Sequence, residues 1–124
     1  MSASNYFENV ILNLISSNGS YIPTALSLGL YTTNPSENGS GLELVADSYQ
    51  RKAVTFSAAV SGTMTNNAEV LFDQATTDWP TVLYFGVLDT SDNLLFYGAL
   101  ASPTTAEVGD SIRFQIGTLS VSLD

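Results

Sequence analysis

The sequence predicts a mainly β protein, an antiparallel β-sandwich or barrel preceded by one N-terminal amphipathic helix. Three observations carry that expectation. Val82–Leu100, VLYFGVLDTSDNLLFYGAL, holds two apolar runs on either side of a polar cluster, the pattern of two buried strands joined in a hairpin. From Leu42 onward the chain breaks into short strand-like runs separated by Gly, Asn, Asp and Pro. Only Asn5–Ser17 carries a helical apolar period. One domain over 1–124 is expected, with a helical segment at 1–20 and the β-sandwich at 21–124. A chain of this length can bury a core without staples.

In the helix, Phe7, Val10, Ile11, Leu14 and Ile15 fall on one stripe. Ser4 is the expected N-cap, Glu8 lies where the helix dipole favours negative charge, and Gly19 can end the element. At 1.5 Å per residue it would run about 20 Å. Its stripe can cover the domain's own core or pack on a neighbouring subunit, and the sequence leaves both open.

Leu26–Thr33 reads as a strand, with Leu26, Leu28 and Leu30 facing one way and Ser27, Gly29 and Tyr31 the other. Ser36–Gly41, SENGSG, reads as a mobile surface loop, placed to carry contacts if a rigid scaffold presents it. A short strand is expected at Leu42–Val45 and a better one at Arg51–Ser57, with Val54 and Phe56 inward. Arg51 and Lys52 are consecutive, point to opposite faces and make no basic patch. Ala58–Thr65 reads as a turn and weak edge strand, Asn66-Asn67 as a turn, and Glu69–Asp73 as a strand with Val70 and Phe72 inward. Trp79 reads as a plug at the end of the core. The hairpin at Val82–Leu100 has apolar residues in both phases, Val82, Tyr84 and Leu88 against Leu83, Phe85 and Val87, so cover on both faces is expected. Pro103–Asp110 reads as a long turn. Ile112–Ile116 and Leu119–Leu123 read as a final strand pair around Gly117-Thr118.

Composition narrows the function. The chain has no Cys and no His, which removes disulfides, thiolate metal sites and the commonest general base. An enzyme is therefore not expected, and no cofactor or metal is. A formal charge of −9 disfavours nucleic acid and anionic lipid. No stretch reaches the length of a membrane-spanning helix, and MSASNYFEN lacks the basic region of a signal peptide, so a soluble, untargeted chain is expected. Asp89, Asp92 and Asn93 do not have EF-hand spacing and read as turn formers. Arg113 reads as a paired structural arginine.

Leu28–Pro35 (LGLYTTNP), Tyr49–Phe56 (YQRKAVTF), Asn67–Phe72 (NAEVLF), Trp79–Asp89 (WPTVLYFGVLD), Asn93–Leu100 (NLLFYGAL) and Val108–Asp124 (VGDSIRFQIGTLSVSLD), taken in that order, resemble a family of small tailed-bacteriophage virion proteins. Its members are labelled tail fibre or structural protein, and similar chains serve as capsid cement. The resemblance implies a non-enzymatic virion component that assembles with copies of itself.

The lack of a fibre shaft favours a capsid cement or decoration protein on the outer surface of the head, bridging subunits of the major capsid protein. A tail fibre, tail or baseplate component is the alternative. Closed symmetry at a three-fold lattice junction favours a homotrimer. From their location, the expected interface residues are the stripe Phe7, Val10, Ile11 and Leu14 and the loop residues Asn34, Pro35, Glu37 and Asn38. A third reading is a carbohydrate-binding module using some of Tyr6, Tyr21, Tyr31, Tyr49, Tyr84 and Tyr97 as stacking rings.

Overall fold

The aromatic and branched runs on either side of Asp89–Asn93 form the centre of the fold. The structure, a computed structural model, describes residues 1–123. Its elements are β1 Ser2–Ala3, α1 Asn5–Ile15, β2 Leu26–Tyr31, β3 Lys52–Val54, β4 Thr63–Thr65, β5 Val70–Leu71, β6 Val82–Leu88, β7 Leu94–Thr104, β8 Arg113–Phe114 and β9 Ser120–Ser122. The chain is mainly β with one short N-terminal helix. Five strands make an antiparallel sheet in the order β1-β7-β6-β2-β3.

Residues directly opposite in an antiparallel pair share a face. The register sets Leu28 opposite Val87, Leu30 opposite Phe85, and Val87 opposite Phe96, so one face of the sheet is apolar. It joins Val70, Phe72, Ile112, Leu119 and Val121 in a single hydrophobic cluster. Phe85 on the sheet meets Phe114 on β8 with ring centroids 6.4 Å apart. Trp79 is buried as expected, its indole N–H donating to the carbonyl of Asp47 at 3.2 Å.

On the opposite face Gly29 pairs with Gly86, and the ring of Tyr31 lies over both. This is how β6 becomes covered on two sides, but only from Phe85 to Leu88. Leu83 is 38% exposed where the β6–β7 pairing is irregular between Val82 and Tyr84, while its neighbour Val82 on the other face is fully buried. The strand β7 also runs on to Thr104, so the long turn starts later than Pro103.

The final strand pair is not formed. Instead β9 pairs with β4 and β8 with β5. Segments 63–71 and 113–122 thus lie antiparallel as one long ribbon whose register slips by one residue midway. Asn66 fills the slip. Expected in a turn, it is buried, donating from Nδ2 to the carbonyls of Ala68 and Gln115, both at 3.0 Å, and accepting at Oδ1 from the Leu119 N–H at 2.9 Å. A buried amide that supplies the missing ladder bonds lets the ribbon slip without orphaned backbone groups. The expected strand at Leu42–Val45 reduces to a bridge between Tyr31 and Glu43.

Candidate assembly surface

The helix is anchored at its start and open at its end. Ala3 pairs with Phe96 on β7, and the Ser4 N–H donates to the Leu95 carbonyl at 2.8 Å. The Ser4 hydroxyl caps α1 by accepting from the Phe7 N–H at 3.2 Å, and donates to the Leu94 carbonyl. Phe7 packs edge-on against Phe96 with centroids 4.8 Å apart and against Tyr21 at 6.2 Å. The segment at 1–20 is therefore stitched into the sheet through β1 and the first turn of α1.

Beyond Phe7 the cover thins. Val10 and Ile11 are half-buried, Leu14 is 44% exposed, Leu12 62% and Ile15 77%, and no residue of α1 is buried. The helix stops at Ile15 rather than Ser17, because Ser16 caps it and Ser17 turns left-handed at φ 60°. The stripe thus outruns the part of the core that lies beneath it. Beside it an apolar slot of about 230 Å³ is lined by Phe7, Met64, Phe96, Val121 and Leu123. Met64, Val121 and Leu123 were not among the expected interface residues. They lie far from α1 in sequence, and the only local sign was an apolar last strand ending at Leu123.

The second expected contact, Asn34–Gly41, is a hydrogen-bonded loop. The Asn34 Oδ1 accepts from the Ser36 N–H at 2.9 Å, and the Asn38 Oδ1 accepts from the Ser40 N–H at 3.1 Å and from the Ser36 hydroxyl at 2.9 Å. These are Asx turns, the local preference of this residue type. Pro35 is buried beneath the loop and is not part of its exposed surface, whereas Asn34, Glu37 and Asn38 are exposed. The Asn5 N–H donates to the Glu37 carbonyl at 2.9 Å, which brings the loop against the start of α1. The two groups of expected interface residues are therefore neighbours at that point and differ in chemistry, one apolar and one polar.

Each of the three side-chain cations is paired. Arg51 binds both carboxylate oxygens of Glu43 and reaches Asp92 at 2.7 Å. Lys52 meets Asp73 at 2.8 Å, and Arg113 lies 3.7 Å from Glu69 at a solvent-exposed position. Arg51 and Lys52 thus serve different partners, as their alternation implied. The Glu43–Arg51 pair raises the Arg51 pKa further, mainly through these hydrogen bonds.

In the β6–β7 turn, Asp89 accepts from the Ser91 and Asn93 N–H groups at 2.9 Å and from the Tyr21 hydroxyl at 2.7 Å. Burial opposes its charge, but these bonds outweigh burial and hold the carboxyl below the usual range. The cluster is a turn staple, as read. Among the described residues no group of His, Cys, Asp and Glu is arranged to hold a metal, and no helix is long and apolar enough to cross a membrane.

A family model described as Podophage GP4 fiber I protein gp80 matches residues 2–122. No curated protein matches the chain.

Proposed function

The chain belongs to the podophage GP4 fiber I protein gp80 family, and on that premise we propose that it is a fibre component of the tail that assembles with copies of itself. Membership makes it a structural protein of a tailed-phage virion. The match over almost the whole chain is the observation that carries the reading, and it favours the tail over the head-surface cement role, because the family is described by a fibre.

The work is mechanical: no bond is made or broken, and contacts are held by buried area. An 11-residue helix is too short to be stable by itself in water and needs packing along its apolar side. Its own domain supplies that in part: Phe7 is the helix residue packed against the core cluster, and Val10 and Ile11 are half-buried. The stripe Val10, Ile11, Leu14 and Ile15, continuous through Phe7 with the apolar slot, is where a second copy gains most from contact. Each large aliphatic side chain taken fully from water contributes about 1.5–3 kcal/mol. A closed ring of copies, a trimer in the simplest fibre geometry, covers every stripe without leaving one over.

Immunogold labelling of intact virions tests the placement. Label on the tail is the expected result, and label over the head would return the cement role. For assembly, Leu14→Glu with Ile15→Glu should convert an oligomer to a folded monomer in sedimentation velocity. An unchanged oligomer would move the interface away from α1.

A further inference from the structure

A cleft of about 380 Å³ opens between the start of α1, the loop 34–41 and the β6–β7 turn. That volume falls in the range of small-molecule sites, roughly 300–1,000 Å³. Its back wall is Tyr31, 5% exposed, whose ring lies over Gly29 and Gly86. A Cβ on Gly86 would stand 3.0 Å from the Tyr31 ring, so glycine is what lets the ring settle there. The Tyr31 hydroxyl has no hydrogen-bond partner among the described residues. No side-chain nitrogen or oxygen among them is both buried and unpartnered, so this hydroxyl keeps access to solvent, and the cleft is the opening that Tyr31 lines. Burial, then the field of Glu43, raises its pKa, which keeps it a proton donor.

Other polar groups around the cleft are similarly uncommitted. Asn38 uses its Oδ1 within the loop and leaves its Nδ2 available, while Asn93 donates Nδ2 to Asp89 and leaves its Oδ1. Glu37 is held through its backbone, and its carboxylate has no partner among the described residues. Tyr6, 39% exposed, brings a ring to the same lining. The one cation, Arg51, is already neutralised by Glu43 and Asp92. With Glu37, Glu43 and Asp92 on the wall, the cleft is net acidic and repels phosphate, sulfate and acidic sugars.

We infer that this cleft binds a neutral sugar ring, its hydroxyls donating to Glu37 and Asn93 and accepting from Tyr31 and Asn38, with Tyr6 against its less polar face. A ligand whose every hydroxyl is both donor and acceptor matches a wall that offers both, and no charge on it needs a counter-charge. The site uses none of the apolar stripe, so it stands or falls apart from the assembly reading.

Saturation-transfer NMR on the full-length protein, with methyl glycosides of glucose, galactose, mannose and N-acetylglucosamine and with sialic acid as the acidic control, tests it. At least one neutral glycoside should show transfer, and sialic acid none. Tyr31→Phe removes only the unpartnered hydroxyl and should weaken binding about fivefold to tenfold with an unchanged melting temperature. Glu37→Gln should weaken it similarly. Transfer to sialic acid alone, transfer unaffected by both substitutions, or no transfer from any neutral glycoside would each overturn the assignment.

Discussion

At the scale of single residues, the amide of Asn66 and the carboxylate of Asp89 do the most to fix the backbone. Asn66→Ala removes three hydrogen bonds at the ribbon's register slip and leaves the N–H of the buried Leu119 without its partner. The expected loss is about 2–4 kcal/mol, read as a lower urea midpoint at unchanged slope. Asp89 makes a pH prediction. Its folded pKa is depressed, so its contribution is complete above the unfolded value near pH 4 and is lost as pH falls through the lower folded value. The stability gap between the native protein and Asp89→Asn should therefore be widest near neutrality and narrow in acid, as measured by urea midpoints across that range. The role of Asp89 was legible, because an Asp four residues before an Asn in a polar break satisfies its own turn. Asn66 misled, since Asn-Asn marks a turn unless a distant strand, here the one starting at Ser120, arrives to bury it.

At the scale of elements, the loop 34–41 is closed by a glycine. A Cβ on Gly41 would clash with the Asn34 carbonyl and stand 2.6 Å from the Pro35 Cα, and these neighbours are backbone that cannot rotate aside. Gly41→Ala should therefore cost about 1–3 kcal/mol in thermal unfolding, whereas Gly19→Ala, with its nearest neighbour at 3.6 Å, should be close to neutral. The helix shows what periodicity gives and withholds. A five-residue apolar stripe and a Ser cap located the start of α1, and its end fell two residues short of the one expected. Whether the stripe would be covered depended on how far the sheet extends beneath it, which no local spacing encodes. The end of the chain shows the same limit, where two runs flanking Gly117 read as a hairpin and each paired elsewhere.

Over the whole molecule, net charge −9 with all three cations in ion pairs leaves a surface on which copies repel one another at long range. Self-association through an apolar face should then strengthen with salt. Raising NaCl from about 0.05 M to 0.5 M shortens the screening length well below 10 Å and should shift sedimentation toward the oligomer, whereas weakening would point to an ionic interface. The sequence by itself determined the mainly β class, the central hairpin, the single helix and the virion family, because residue type, two-residue and helical periods and motif order are properties of the chain read locally. Tertiary structure alone decided the strand partners of 113–122, the burial of Asn66, the exposed end of α1 and the polar cleft behind Tyr31. Each of these depends on which distant segments meet, and a pairing that is won by the sum of many small contacts leaves no mark at any one position.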